Sequence, residues 1–177
     1  MTAKSINSAI HFAAWFVQKA AGSSKKLSHV KLQNMLFLAQ LHQGISNGEI
    51  LMPSMFVCCD KGFYEPNVRL ALKQGLALEM GSFIKDELDL LESVWDKYEH
   101  LSEEELLNQV CNLSLWKNSY QVNKDVIVNP LEYTAHIDRD DKPKKSENKA
   151  KIRLSQNGPV KVSPWRPRKI NDNNKVD

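Results

Sequence analysis

The sequence predicts a mainly α-helical fold: a compact helical domain with one small extended or β-hairpin element, followed by a disordered basic C-terminal tail. Three observations lead there. Apolar residues recur at three- and four-residue steps through most of the first 120 positions, the period of helices with one buried face. A Pro-punctuated apolar run over 50–60 breaks that period. After about Val128 the composition turns to Lys, Asn, Asp, Ser and Pro, which cannot bury enough apolar surface to offset the entropy of ordering. The division that follows is a helical domain over 5–122, a connecting segment over 123–137 and the tail over 138–177.

The elements follow in order. Ile6, Ala9, Ile10, Ala13, Ala14, Phe16, Val17 and Ala20 share one face of a first helix, which ends at Gly22-Ser23-Ser24. Ser28 is the N-cap of a second helix over 29–42, with Gly44 as its C-cap. Its apolar stripe (Val30, Leu32, Met35, Leu36, Leu38, Ala39) is wide enough for burial on more than one side. Pro53 excludes a helix interior around 50–60, so an extended or hairpin element is expected there. Pro66 starts a third helix over 67–76. Gly81-Ser82 opens the next unit, a fourth helical stretch in which Phe83, Leu88, Leu91, Val94, Trp95 and Tyr98 follow helical spacing while Lys85, Asp86, Glu87, Asp89 and Glu92 face water. Ser102 and Glu105 form a capping box for a fifth, with Leu101 and Leu106 placed as a hydrophobic staple.

Charge and cysteine usage bound the function. The net charge of +3 is unevenly spread: residues 1–137 hold 12 Lys+Arg against 15 Asp+Glu, and residues 138–177 hold 12 against 6. A mildly acidic body therefore carries a basic tail. Three cysteines (Cys58, Cys59, Cys111) without a CxxC pair argue against a disulfide framework and against a Cys-rich zinc site. No stretch of about 18 apolar residues is present to span a membrane. The expectation is a cytoplasmic protein with no membrane partner.

No catalytic constellation emerges. The five histidines lie far apart and form no metal-binding spacing, so neither metal nor cofactor is expected. Asp60 and Glu65 flank Gly62 without a positioned nucleophile or base, and Cys58-Cys59 reads as core packing. Met35, Met52 and Met55 offer an adaptable surface, but two of the three read as core filling. In the tail, Lys142, Lys144, Lys145, Lys149, Lys151 and Arg153 are followed by Trp165, Arg166, Arg168 and Lys169. This pattern permits nucleic-acid contact. Interspersed acids and a single aromatic favour instead a solvated tail or a protein-binding linear motif, Trp165 between two prolines being the anchor.

The segment Lys31-Leu32-Gln33-Asn34-Met35-Leu36-Phe37-Leu38-Ala39-Gln40 resembles the "KLQKLLYFAQ" helix of the Panacea domain, the SocA-like antitoxin and phage-associated family. The preceding SAIHFAAWFVQKA looks like that family's opening helix. The family's Trp/Tyr-Gly-Pro-Val-x-Pro turn corresponds to residues 60–68, keeping Gly62, Pro66 and Val68 but not the first proline or the valine. The junction from Val94 through Tyr98 to Leu101-Ser102 is similar to "Val-x-x-x-Tyr-Gly-x-Leu-Ser". The late "Leu-Thr-His … Pro-Trp" survives only in Trp116. The likeness covers about 6–120 and marks a divergent member. It implies a non-enzymatic bacterial module that binds and neutralises a toxin-like protein, or that delivers one to a ClpXP-type protease. The surface expected to meet the partner is Gly62, Phe63, Tyr64, Glu65, Pro66, Asn67 and Trp116, with Trp165, Arg166, Arg168 and Lys169 as a tail interaction site. Two alternatives stand beside it: a secreted effector on the same scaffold, and a nucleic-acid-binding regulator acting through the tail.

Overall fold

The structure is a computed structural model that describes residues 7–23, 25 and 27–130, together with two strands at 151–155 and 158–162. It divides into two units, Met1–Lys142 and Pro143–Asp177. In the first unit six helices and three short strands follow one another: α1 (Ala9–Gly22), α2 (His29–Asn47), β1 (Phe56–Cys59), β2 (Gly62–Tyr64), α3 (Pro66–Lys73), α4 (Lys85–Tyr98), α5 (Glu103–Asn112), α6 (Ser114–Ser119) and β3 (Val126–Val128). The second holds β4 (Lys151–Ser155) and β5 (Gly158–Val162), paired antiparallel with Ser155 opposite Gly158. This ladder is an addition to the tail, whose composition predicts no regular element.

Helix α2 is the axle of the first unit. Every residue from Lys31 to Leu41 is buried, so the helix has no solvated face along its middle. The broad apolar stripe predicted burial on more than one side, and the burial goes further, to the polar positions as well. Phe37 carries the contact with the sheet: its ring stacks on Phe63 at 3.8 Å between centroids and meets Phe56 edge-on at 5.5 Å. Phe12 and Phe16 of α1, Leu91, Val94 and Trp95 of α4, and Leu106 and Val110 of α5 complete the core.

Several features differ from the sequence expectation, the end of α3 among them, which falls at Lys73 rather than at 76. The second helix runs a turn further, to Asn47; Gly44 lies buried inside it, Ile45 still packs on the core, and Gly48 at φ +70° is the C-cap. The hairpin lies over 56–64 rather than 50–60, with β1 and β2 in antiparallel register Cys59 opposite Gly62. A third strand, β3, pairs with the other side of β1, Val57 opposite Ile127, giving the order β2-β1-β3. The start signals agree with expectation. Ser28 Oγ accepts from Lys31 N–H at 3.1 Å. Pro66 is at the first turn of α3. At α5, Ser102 Oγ accepts from Glu105 N–H at 3.1 Å while Ser102 N–H donates to Glu105 Oε2 at 2.7 Å. Glu87 and Glu92 are half-buried rather than free in water: Glu87 accepts from Asn7 Nδ2, and Glu92 pairs with Lys19 at 2.6 Å.

Candidate functional site

The polar residues of the second helix explain how the hairpin is held. A buried side-chain amide is expensive unless both ends are bonded, and α2 buries three of them beside a lysine. Asn34 Oδ1 accepts from Phe63 N–H at 3.0 Å, while its Nδ2 donates to the carbonyl of Lys61 at 3.0 Å. Gln33 Oε1 accepts from Glu65 N–H at 2.8 Å. About two turns on, Gln40 Oε1 accepts from both Leu51 and Met52 N–H at 3.1 and 3.0 Å. At the other end, Lys31 Nζ donates to the carbonyls of Glu99 (2.8 Å) and Leu101, the orphan acceptors after α4. The buried polar residues of this helix thus pin three separate segments: Gln33 and Asn34 the hairpin, Gln40 the chain at 51–52, and Lys31 the turn after α4. Gly62 fits because it has no side chain: at φ +86°, a Cβ would lie 2.2 Å from Asn34 Oδ1.

These contacts place the predicted partner-binding residues. Gly62, Phe63 and Glu65 are buried and not available as surface. Phe63 is the ring stacked on Phe37, and Glu65 is the N-cap of α3, its Oε2 accepting from Val68 N–H at 2.7 Å. Tyr64 is half-buried, its hydroxyl donating to Asp125 Oδ2 at 2.8 Å, with the Arg69 guanidinium 4.1 Å over its ring. Trp116 is half-buried as well; its Nε1 donates to the carbonyl of Cys59 at 2.9 Å and its ring stacks on Tyr120. It fastens α6 to the hairpin. Only Pro66 and Asn67 of the group are exposed. Trp165, Arg166, Arg168 and Lys169 lie outside the described residues.

Concavities open beside the hairpin, and two of them differ sharply in chemistry. A shallow groove of about 760 Å³ includes Pro66 and Asn67 on one side and Ile50, Pro53, Met55 and Ile127 on the other. Met55 and Ile127 are 62% and 64% exposed, whereas Met35 and Met52 are buried in the core. The groove adjoins β3, the terminal strand of its sheet. A smaller cavity of about 240 Å³ opens elsewhere, between the first turn of α2, the hairpin and α3. Lys61, Arg69, Lys73, Asp60 and Asp125 charge its wall. Gln33 lines it too, and Gln33 Nε2, buried, has no hydrogen-bond partner among the described residues. Leaving such a donor unsatisfied costs on the order of 1–3 kcal/mol.

Thiol chemistry is not primed in this region. Burial pushes the Cys58 thiol up to about 12, aided by the neighbouring Cys59 and Cys111. Burial likewise raises Cys59, so neither is held as the nucleophilic thiolate at neutral pH. Among the described residues no group of three His, Cys, Asp or Glu is arranged to hold a metal ion, and no helix is long and apolar enough to cross a membrane. Sequence reasoning missed Gln33, Asn34 and Gln40 as hairpin and loop anchors. The available signal was amides inside a stripe already too wide for a one-sided helix. No protein-family model, curated protein or solved structure matches this chain.

Proposed function

We propose that this chain is a non-enzymatic protein-binding module of the bacterial cytoplasm. It neutralises a toxin-like partner by direct binding or hands it to a ClpXP-type protease, the role its resemblance to the Panacea domain implies. The support is the outer edge of β3, which pairs with no other strand among the described residues, beside the groove of Ile50, Met55 and Ile127. The opposite edge of the sheet is occupied, since Asn34 and Gln33 accept the outward N–H groups of Phe63 and Glu65. An unpaired strand edge flanked by exposed apolar side chains selects an extended segment of a partner, main chain to main chain with side chains in the groove.

Co-expression with the product of an adjacent gene tests this. The wild-type chain rescues growth and co-purifies with that product; Met55→Lys combined with Ile127→Lys abolishes both while leaving the melting temperature within a few degrees. Both substituted side chains are exposed, so folding is spared. Undiminished co-purification by the double variant would rule out the groove.

A further inference from the structure

The cavity at the first turn of α2 shares no lining residue with the groove and has a different chemistry. We propose that it binds a carboxylate carried on a short apolar body, such as the end of a peptide chain closing in an aliphatic residue or a free acid of the same shape. Four observations converge on one anion. Gln33 is 5% exposed, its Oε1 is committed to Glu65 N–H, and its Nε2 is a donor without an acceptor among the described residues. Arg69 stands over the Tyr64 ring at 4.1 Å; stacked there, its planar fork is held for an incoming carboxylate. His29 and Val30, from the first turn of α2, form part of the wall, where the helix dipole leaves its positive end. Val30, Phe63 and Leu72 supply an apolar surface beside these donors.

Charge decides between carboxylate and phosphate. Lys61, Arg69 and Lys73 face Asp60 and Asp125, three cations against two carboxylates, a surplus of one. Asp125 is already engaged by the Tyr64 hydroxyl. A singly charged carboxylate matches that surplus, whereas a phosphate dianion exceeds it. The size agrees: about 240 Å³ accommodates one residue end, not a nucleotide.

The test uses the full chain labelled with ¹⁵N and follows the Gln33 side-chain amide and the Arg69 Nε resonance. The probes are N-acetyl-leucine, its neutral twin N-acetyl-leucinamide, a pentapeptide ending in leucine, and inorganic phosphate. Both acids shift the two resonances saturably, the amide twin does not, and phosphate binds more weakly than either acid. Arg69→Gln weakens acid binding about tenfold or more, and Arg69→Lys restores part of it. Both substitutions fall on an exposed side chain, and the remaining backbone resonances report whether the fold is kept. A pentapeptide tighter than N-acetyl-leucine assigns the site to a protein end; equal affinities assign it to a small acid, and both carry the carboxylate reading. Equal shifts from acid and amide, phosphate binding tighter than the acids, no shift at all, or full affinity in Arg69→Gln would each overturn it. None of these outcomes bears on the groove.

Discussion

Gly62 combines a left-handed φ of +86° with the Asn34 carboxamide lying where a side chain would begin. Gly62→Ala is therefore expected to cost about 2–4 kcal/mol: part backbone strain, part displacement of an amide that bonds Phe63 and Lys61. Because the two residues share one interaction, Asn34→Ala and Gly62→Ala should fall well short of additive in chemical denaturation. His42 provides a pH dependence. Burial, then the Lys97 charge, lowers its pKa from 6.5 to about 4, and its Nε2 meets the Tyr98 hydroxyl at 2.9 Å. A depressed folded pKa means that the unfolded chain takes up the proton first. The stability from neutral His42 is whole above pH 6.5 and is lost as pH falls towards 4. The loss is on the order of 2–3 kcal/mol. Thermal melts between those values should show the slope, and His42→Gln should flatten it.

At the scale of elements, α2 acts less as an amphipathic helix than as a spine with polar pegs. Gln40 is the peg for 51–52, accepting two buried N–H groups at once. Gln40→Leu keeps the apolar volume but orphans both donors, so a loss of about 2–4 kcal/mol is expected from denaturant midpoints. Helix starts were legible in the sequence because capping is local: Ser28, Pro66 and Ser102 each act within three residues. Helix ends were less so. Gly44 and Gly48 are equally good stop signals on paper, and only packing, through Ile45, decides between them. The pegs were illegible for the same reason. Nothing local to Asn34 announces that its partners lie 27 and 29 residues away.

Across the whole molecule the gap between sequence and structure is one of range. The helical domain, its hairpin and its acidic body follow from periodicity, proline placement and composition. The third strand does not: Val126–Val128 is too short to stand out, and it earns its place only by pairing with β1 some seventy residues earlier. The candidate site suffered likewise. Exposure at Pro66 and Asn67 was readable from a turn, but the burial of Phe63 and Glu65 required α2 to be laid across them. The exposed apolar residues of the groove, Met55 and Ile127, come from two segments that only the sheet brings side by side.

The two borders of that sheet are unlike: one is stoppered by carboxamides, and the other is bare among the described residues. Lateral growth of such a ribbon ends after a single junction. Two molecules could join bare border to bare border, and the assembly would then present a stopper at each extremity, with nowhere for a third to attach. With one border stoppered, edge-to-edge pairing of this sheet is limited to a pair of molecules and does not extend into an open-ended fibre.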